Sequence, residues 1–236
     1  MIRFLRNLIL TVVIIAAALY IAALVARSRV IDQCREPLTN TLVTAYGVGP
    51  DDTYSFNVRM HFYPPAVEVT DLQITGEALT VDGSEFHQCV LSIDSITCDL
   101  WTLARYRQVK ILRASGRSFE GGLLNGDIAQ RFMAKGGPIS EVSVDQYNGM
   151  ARVQGRFGYL SPSTITMLGR WAVDDRGVVT IVDRRYRNPD SPVPEGVVAI
   201  LEQQVNFDIR ISILDEELKA ESVQSNQFGI RIIEHE

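Results

Sequence analysis

Residues 8–26, LILTVVIIAAALYIAALVA, constrain this chain more than any other stretch. They form 19 residues without a charge, directly behind Arg3 and Arg6. As a helix rising ~1.5 Å per residue, the run reaches nearly 30 Å, about the thickness of a bilayer's hydrocarbon core. From Arg27 onward the chain is mostly polar and punctuated by turns. The run predicts a transmembrane anchor over 1–29 and one folded ectodomain over 30–236.

Two other readings compete with an anchor. A secretory signal has an apolar run of only 7–15 residues followed by small residues at a cleavage site. Here the run is longer, and its end, Leu24-Val25-Ala26-Arg27, is a poor cleavage site. A core helix of this length with no polar face is unusual in so small a domain. Arg3 and Arg6 flank one end and Arg27, Arg29 and Arg35 the other, so charge alone does not set orientation. The very short N-terminal flank is that of a signal anchor, which places the ectodomain on the extracytoplasmic side of the cell membrane as a single-pass protein.

Charge is distributed unevenly. All 28 acidic residues lie beyond Arg29, against 19 of the 23 basic ones, so this part carries about −9. That balance argues against nucleic acid, and against broad electrostatic adhesion to anionic lipid. Hydrophobic residues at 46% are enough to close a core. Cys34, Cys89 and Cys98 are odd in number, and Cys89 and Cys98 sit in one strand-like stretch too extended to be bridged. They read as small buried hydrophobes.

From Val30 to Tyr46, Ile31, Cys34, Leu38, Leu42 and Ala45 recur at helical spacing, with Pro37 as an interruption. Beyond Pro50 the period becomes two. Phe56, Val58, Met60 and Phe62 form one strand; Val67, Val69, Leu72 and Ile74 form another, with a register slip at Asp71. Asn148-Gly149 and Asp174 to Gly177 mark hairpins. Phe119-Glu120-Gly121-Gly122 reads as a bulge or bend. Short helices are expected over Ile128–Lys135, capped by Asp127, and from Glu195 behind Pro194. About ten strands, two short helices and no βαβ rhythm predict an α+β domain. Its elongated, curved antiparallel sheet carries both helices on the concave face.

Chemical motifs are scarce. His61, His87 and His235 sit in no HExxH or HxH pattern, and there is no CxxC, GxSxG or phosphate-binding glycine loop. No catalytic residue, metal site or cofactor is expected. Arg184-Arg185-Tyr186-Arg187 could meet a phosphate headgroup, but a solvated strand end is the plainer reading. The chain does carry more apolar surface than a thin sheet with two helices needs. An apolar cleft between them would hold an acyl chain without any specific motif.

Three segments resemble the LmeA family of phospholipid-binding proteins of bacterial envelopes. They are DLQITGEALTVDGSEFHQCVLSIDSITCDLWTL, SFEGGLLNGDIAQRF, and VQGRFGYLSPSTITMLGRWAVDDRGVVTIV followed by PVPEGVVAILEQQVNF. The resemblance implies an elongated β domain related to tubular lipid-binding folds, a lipid-taking interior, and phospholipid as partner. It implies cleft-lining positions Leu124, Ile128 and Phe132 on the first helix, and Val197, Ile200, Leu201 and Val205 on the second. Phe157, Met167 and Trp171 would face them from strands. The alternatives are an interaction module tethered to the membrane, and a hydrolase built on His61 or His87.

Overall fold

The computed structural model describes residues 25, 28–62, 65–133, 139–147, 149–157, 163–189, 192–204 and 207–236. Helix α1 covers residues 28–42, and a 3-10 turn follows at Thr44–Tyr46. The helical stripe lands as expected: Cys34, Leu38 and Leu42 are buried, while Ala45 is exposed and Tyr46 takes the next inward place. Pro37 does not break α1, although it removes one backbone donor.

Four long strands come next: β1 (Thr53–Phe62), β2 (Pro65–Val81), β3 (Ser84–Asp99) and, after helix α2 (Leu100–Tyr106), β4 (Ile111–Leu124). Helix α3 (Asn125–Met133) leads into a meander of β5 (Ile139–Tyr147), β6 (Met150–Phe157), β7 (Ser163–Val173) and β8 (Val179–Arg187). Helix α4 (Glu195–Gln204), a two-residue pair β9 (Ser212–Ile213) and β10 (Glu216–Glu217), then β11 (Lys219–Asn226) and β12 (Gly229–His235) complete the chain.

The strands form two main sheets, both antiparallel. One has the order β1-β2-β3-β4-β12-β11 and the other β5-β6-β7-β8. This corrects the α+β expectation. Strand accounts for 59% of the structure, so the protein is mostly β, and the strands do not make one curved sheet with two helices on it. Period-2 patterning shows which face of a strand is buried but not which strand pairs with it. The pairing of β12 with β4, Gly229 opposite Leu124, closes the first sheet around the whole β5–β10 excursion. No helix among the described residues is long and apolar enough to cross a membrane. The run at 8–26, on which the transmembrane expectation rests, lies outside the described residues.

The register slip at Asp71 is one of three in a row. Inward residues step from Val69 to Leu72 on β2, from Ile93 to Ile96 on β3, and from Ala114 to Arg117 on β4. Each strand carries its extra residue at the same level, because Thr70 pairs Ser95 and Ser95 pairs Ser115. Asp71 and Gly116 both take positive φ there, 56° and 66°. β1 lacks the extra residue, so the register shift appears between β1 and β2, at Ser55/Asn57. Aligned bulges bend the sheet and sharpen its twist without unpairing it. A second shift lies on β3 at Gln88, opposite Gly122. The bulge expected at Phe119 to Gly122 therefore belongs to the neighbouring strand.

One apolar core joins α1, both sheets, α3 and α4. All three cysteines are buried and free. Burial pushes the Cys89 and Cys98 thiols up to about 11 and raises Cys34 as well. At pH 8 the native protein is expected to leave all three unlabelled by an aromatic disulfide reagent, while the denatured chain titrates three thiols. One fast-reacting thiol in the native state would contradict the burial.

Candidate functional site

α3 packs at the seam where the two sheets meet, and α4 is fastened nearby to β8. α3 begins at Asn125, not at Asp127, so Asp127 sits in its first turn instead of capping it. The helix packs against β5, β4, β12 and β3, directing Ile128, Ala129 and Phe132 inward. Phe132 meets Phe207, just beyond α4, edge to face at 5.2 Å between centroids. The Arg184 guanidinium lies 4.6 Å from the Phe207 centroid. It also donates through Nε to the Ile181 carbonyl at 2.6 Å, and pairs with Glu202 on α4. The other Glu202 oxygen accepts from the Tyr186 hydroxyl at 2.5 Å. Burial, then this carboxylate, hold the Tyr186 phenol well above its usual range.

The bulge at Asp183, φ 55°, makes this possible. It shifts β8 so that Arg184 is turned toward α4 while Arg185 stays exposed. The basic run is therefore half legible in the sequence: Arg185 and Arg187 are exposed strand-end residues, but Arg184 is a clamp. On the β7 side, Trp171 donates its indole N–H to Gln146 at 3.0 Å, and Gln146 donates to Asn125 at 3.3 Å, which ties β7 to β5 and to the start of α3.

The ten expected lining positions divide. Ile128, Phe132, Met167, Trp171 and Leu201 are brought together in the core, each no more than 7% exposed. Phe157 and Val197 are partly buried against it. Leu124 and Ile200 face outward at 44% and 39%. Leu124 follows the buried Leu123 and Ile200 precedes the buried Leu201, and a one-residue step is enough to leave the apolar face. Val205 lies outside the described residues. Among the described residues, the buried members of this group form part of one packed apolar core.

Sequence reasoning missed the charges inside the body. On β12 the inward face runs Ile230, Ile232, Glu234, and Glu234 is 1% exposed with Oε2 unpartnered among the described residues. Burial raises its carboxyl to about 8, opposed by Arg131 on α3 and reinforced by Glu217 on β10. On β4, Arg117 occupies an inward place two before Phe119 and lies 3.0 Å from both Glu216 and Glu236. The signal is there to find: each is a charge at an even step from a buried residue.

His61 pairs with Glu68 at 2.9 Å on the surface, and His87 lies 3.6 Å from Asp127. The groove of about 470 Å³ that His87 shares with Leu124 and Phe228 is lined by neither Ser nor Cys. Among the described residues no three His, Cys, Asp or Glu side chains converge to hold a metal ion. The site therefore defines a mostly β protein with an apolar seam clamped by polar contacts. Compared with protein-family models, curated proteins and solved structures, the chain matches none.

Proposed function

We propose that this protein is a membrane-tethered lipid-handling protein of the cell envelope, taking a phospholipid-type acyl chain into the seam beneath α4. The observation that carries the reading is how little of α4 is fully buried among the described residues. Its fully buried contribution is Leu201, with Val197 half-buried and Ile200 exposed, and its edge is fastened by Glu202 to Arg184 and Tyr186.

Lifting α4 exposes about one and a half apolar side chains, costing on the order of 2–5 kcal/mol. An acyl chain with ~15 buried CH₂ groups, at ~0.8 kcal/mol each, gains more than that relative to water. In a bilayer that chain is already out of water, so the seam holds it less tightly than the bilayer by the cost of opening α4. This suits exchange of lipid, not storage. The apolar run at 8–26 would keep the seam beside one membrane, and the resemblance to LmeA proteins points to the same chemistry.

The test is photolabelling of the full chain in vesicles containing phosphatidylcholine with a diazirine in the acyl chain. Labelled peptides from α3, α4 and β7, at Phe132, Met167, Trp171 or Leu201, are the expected result. Labelling confined to residues 8–26 would remove lipid uptake and leave an interaction module on a tether.

A further inference from the structure

We propose that the end of the body formed by α2 and the start of β4 is a docking surface for an anionic lipid bilayer. Residues 100–113, LWTLARYRQVKILR, contain four cations and no acid, in a chain with 28 acidic and 23 basic residues. The overall balance near −9 beyond Arg29 thus conceals a local reversal. Arg105, Arg107, Lys110 and Arg113 are all exposed, and none forms an ion pair among the described residues. Beside them stand three of the most exposed large apolar side chains described: Trp101 at 67%, Tyr106 at 60% and Leu112 at 55%.

Trp and Tyr among cations, with most of each side chain exposed, match the chemistry of the bilayer's headgroup layer, where an amphipathic ring keeps one part apolar and one part wet. Anionic headgroups supply the countercharge. The local structure is fixed, not a loose tail. Asp99 caps α2 by accepting from the Thr102 amide at 2.6 Å, Arg107 closes it in the left-handed conformation, and Leu103 roots it in the core. Arg105 lies over the Tyr106 ring at 5.4 Å.

The direction in which the chain leaves the body selects the bilayer over a protein partner. Glu36, Pro37 and Asn40 of α1 share a cleft with Arg107, and Cys34 lies beside Cys98, immediately before α2. The other end of that segment, Gly47, approaches Thr80 near the β2–β3 turn. α1 therefore runs toward the α2 end as it is traced back to Ser28, and the apolar run at 8–26 is attached there. A tether inserted in a bilayer brings this end of the body toward the headgroups. The inference rests on the tethering half of the proposed function and not on lipid uptake by the seam.

The experiment uses the full chain in phosphatidylcholine vesicles, with and without phosphatidylglycerol, carrying lipids brominated near the headgroup. The chain has two tryptophans, Trp101 exposed and Trp171 buried, so the difference between wild type and Trp101→Phe isolates Trp101. Expected is a blue-shifted Trp101 emission quenched by brominated lipid, dependent on phosphatidylglycerol. It should be lost when Arg105, Arg107, Lys110 and Arg113 are all replaced by Glu, although the chain stays in the vesicles. Trp101 that remains open to iodide and unquenched overturns the proposal even if residues 8–26 hold the chain in lipid. Trp101 shielded from iodide yet unquenched by brominated lipid overturns it in favour of a protein cover. Neither result bears on photolabelling of the seam, so the two readings fail separately.

Discussion

Glu234→Gln is expected to stabilise the protein above neutral pH and to leave it unchanged near pH 4. The Glu234 side chain is buried on the inner face of β12, and burial lifts its carboxyl from 4.5 to about 8. Between those values the folded protein holds a proton that the unfolded chain has released. Stability is therefore full below about pH 4.5, falls as pH rises toward 8, and is flat beyond. At ~1.4 kcal/mol per pH unit over that interval, the loss amounts to roughly 3–5 kcal/mol. Gln copies the protonated acid in shape and cannot ionise. Arg131 is not orphaned by the change, because it donates to the Ser84 hydroxyl at 2.7 Å and the Arg210 carbonyl at 3.0 Å. Urea unfolding of both proteins at pH 4 and pH 8.5 measures the effect. Curves that superimpose at both pH values would show that Glu234 ionises in the folded state as freely as in water.

That residue is displayed openly in the sequence, yet it is easily passed over. Ile230, Ile232 and Glu234 are an unbroken period-2 series, so the pleat alone places Glu234 inside. Local periodicity serves well where the faces are apolar. It locates the Asp71 slip, the Asp174 turn, where Arg176 and Val178 amides donate to the Asp174 carboxylate at 2.9 Å, and the start of α4 at Glu195. α2 escapes it because seven residues give too little periodicity to distinguish a helix from a loop.

The two-sheet arrangement is illegible for a different reason. Val142, Val144, Ala151 and Val153 announce a hairpin whose inward face needs a partner, but besides α3, just before it in the chain, the partner is β11, some 70 residues onward. Nothing in a strand's own alternation says which distant surface it covers. The candidate lining residues fare better because helix faces are local. Ile128 with Phe132, and Val197 with Leu201, are each four apart and turn together toward the seam, while Ile200 misses it by one position.

Phe132→Ala should be the most damaging single truncation at the seam. Phe132 is 6% exposed and stacks edge to face on Phe207, whose other partner is the Arg184 guanidinium. Removing the ring deletes its burial and leaves a cavity that α3 cannot collapse, because its N-terminal end is fixed by the Asn125–Gln146 contact and by the Asn125 amide donating to the Phe228 carbonyl at 2.9 Å. The expected cost is about 3–5 kcal/mol. A double-mutant cycle with Phe207→Ala should return a coupling of roughly 0.5–1.5 kcal/mol for the ring pair. The cavity is apolar, so water gains little by entering it, whereas a short-chain phosphatidylcholine that reaches the seam can fill it. Bound lipid stabilises in proportion to its affinity for the folded state. The variant should therefore recover more stability from the lipid than wild type does. Loss below about 1 kcal/mol would show that Phe132 does not pack the seam; full loss with no recovery in lipid would show that the seam stays closed to acyl chains.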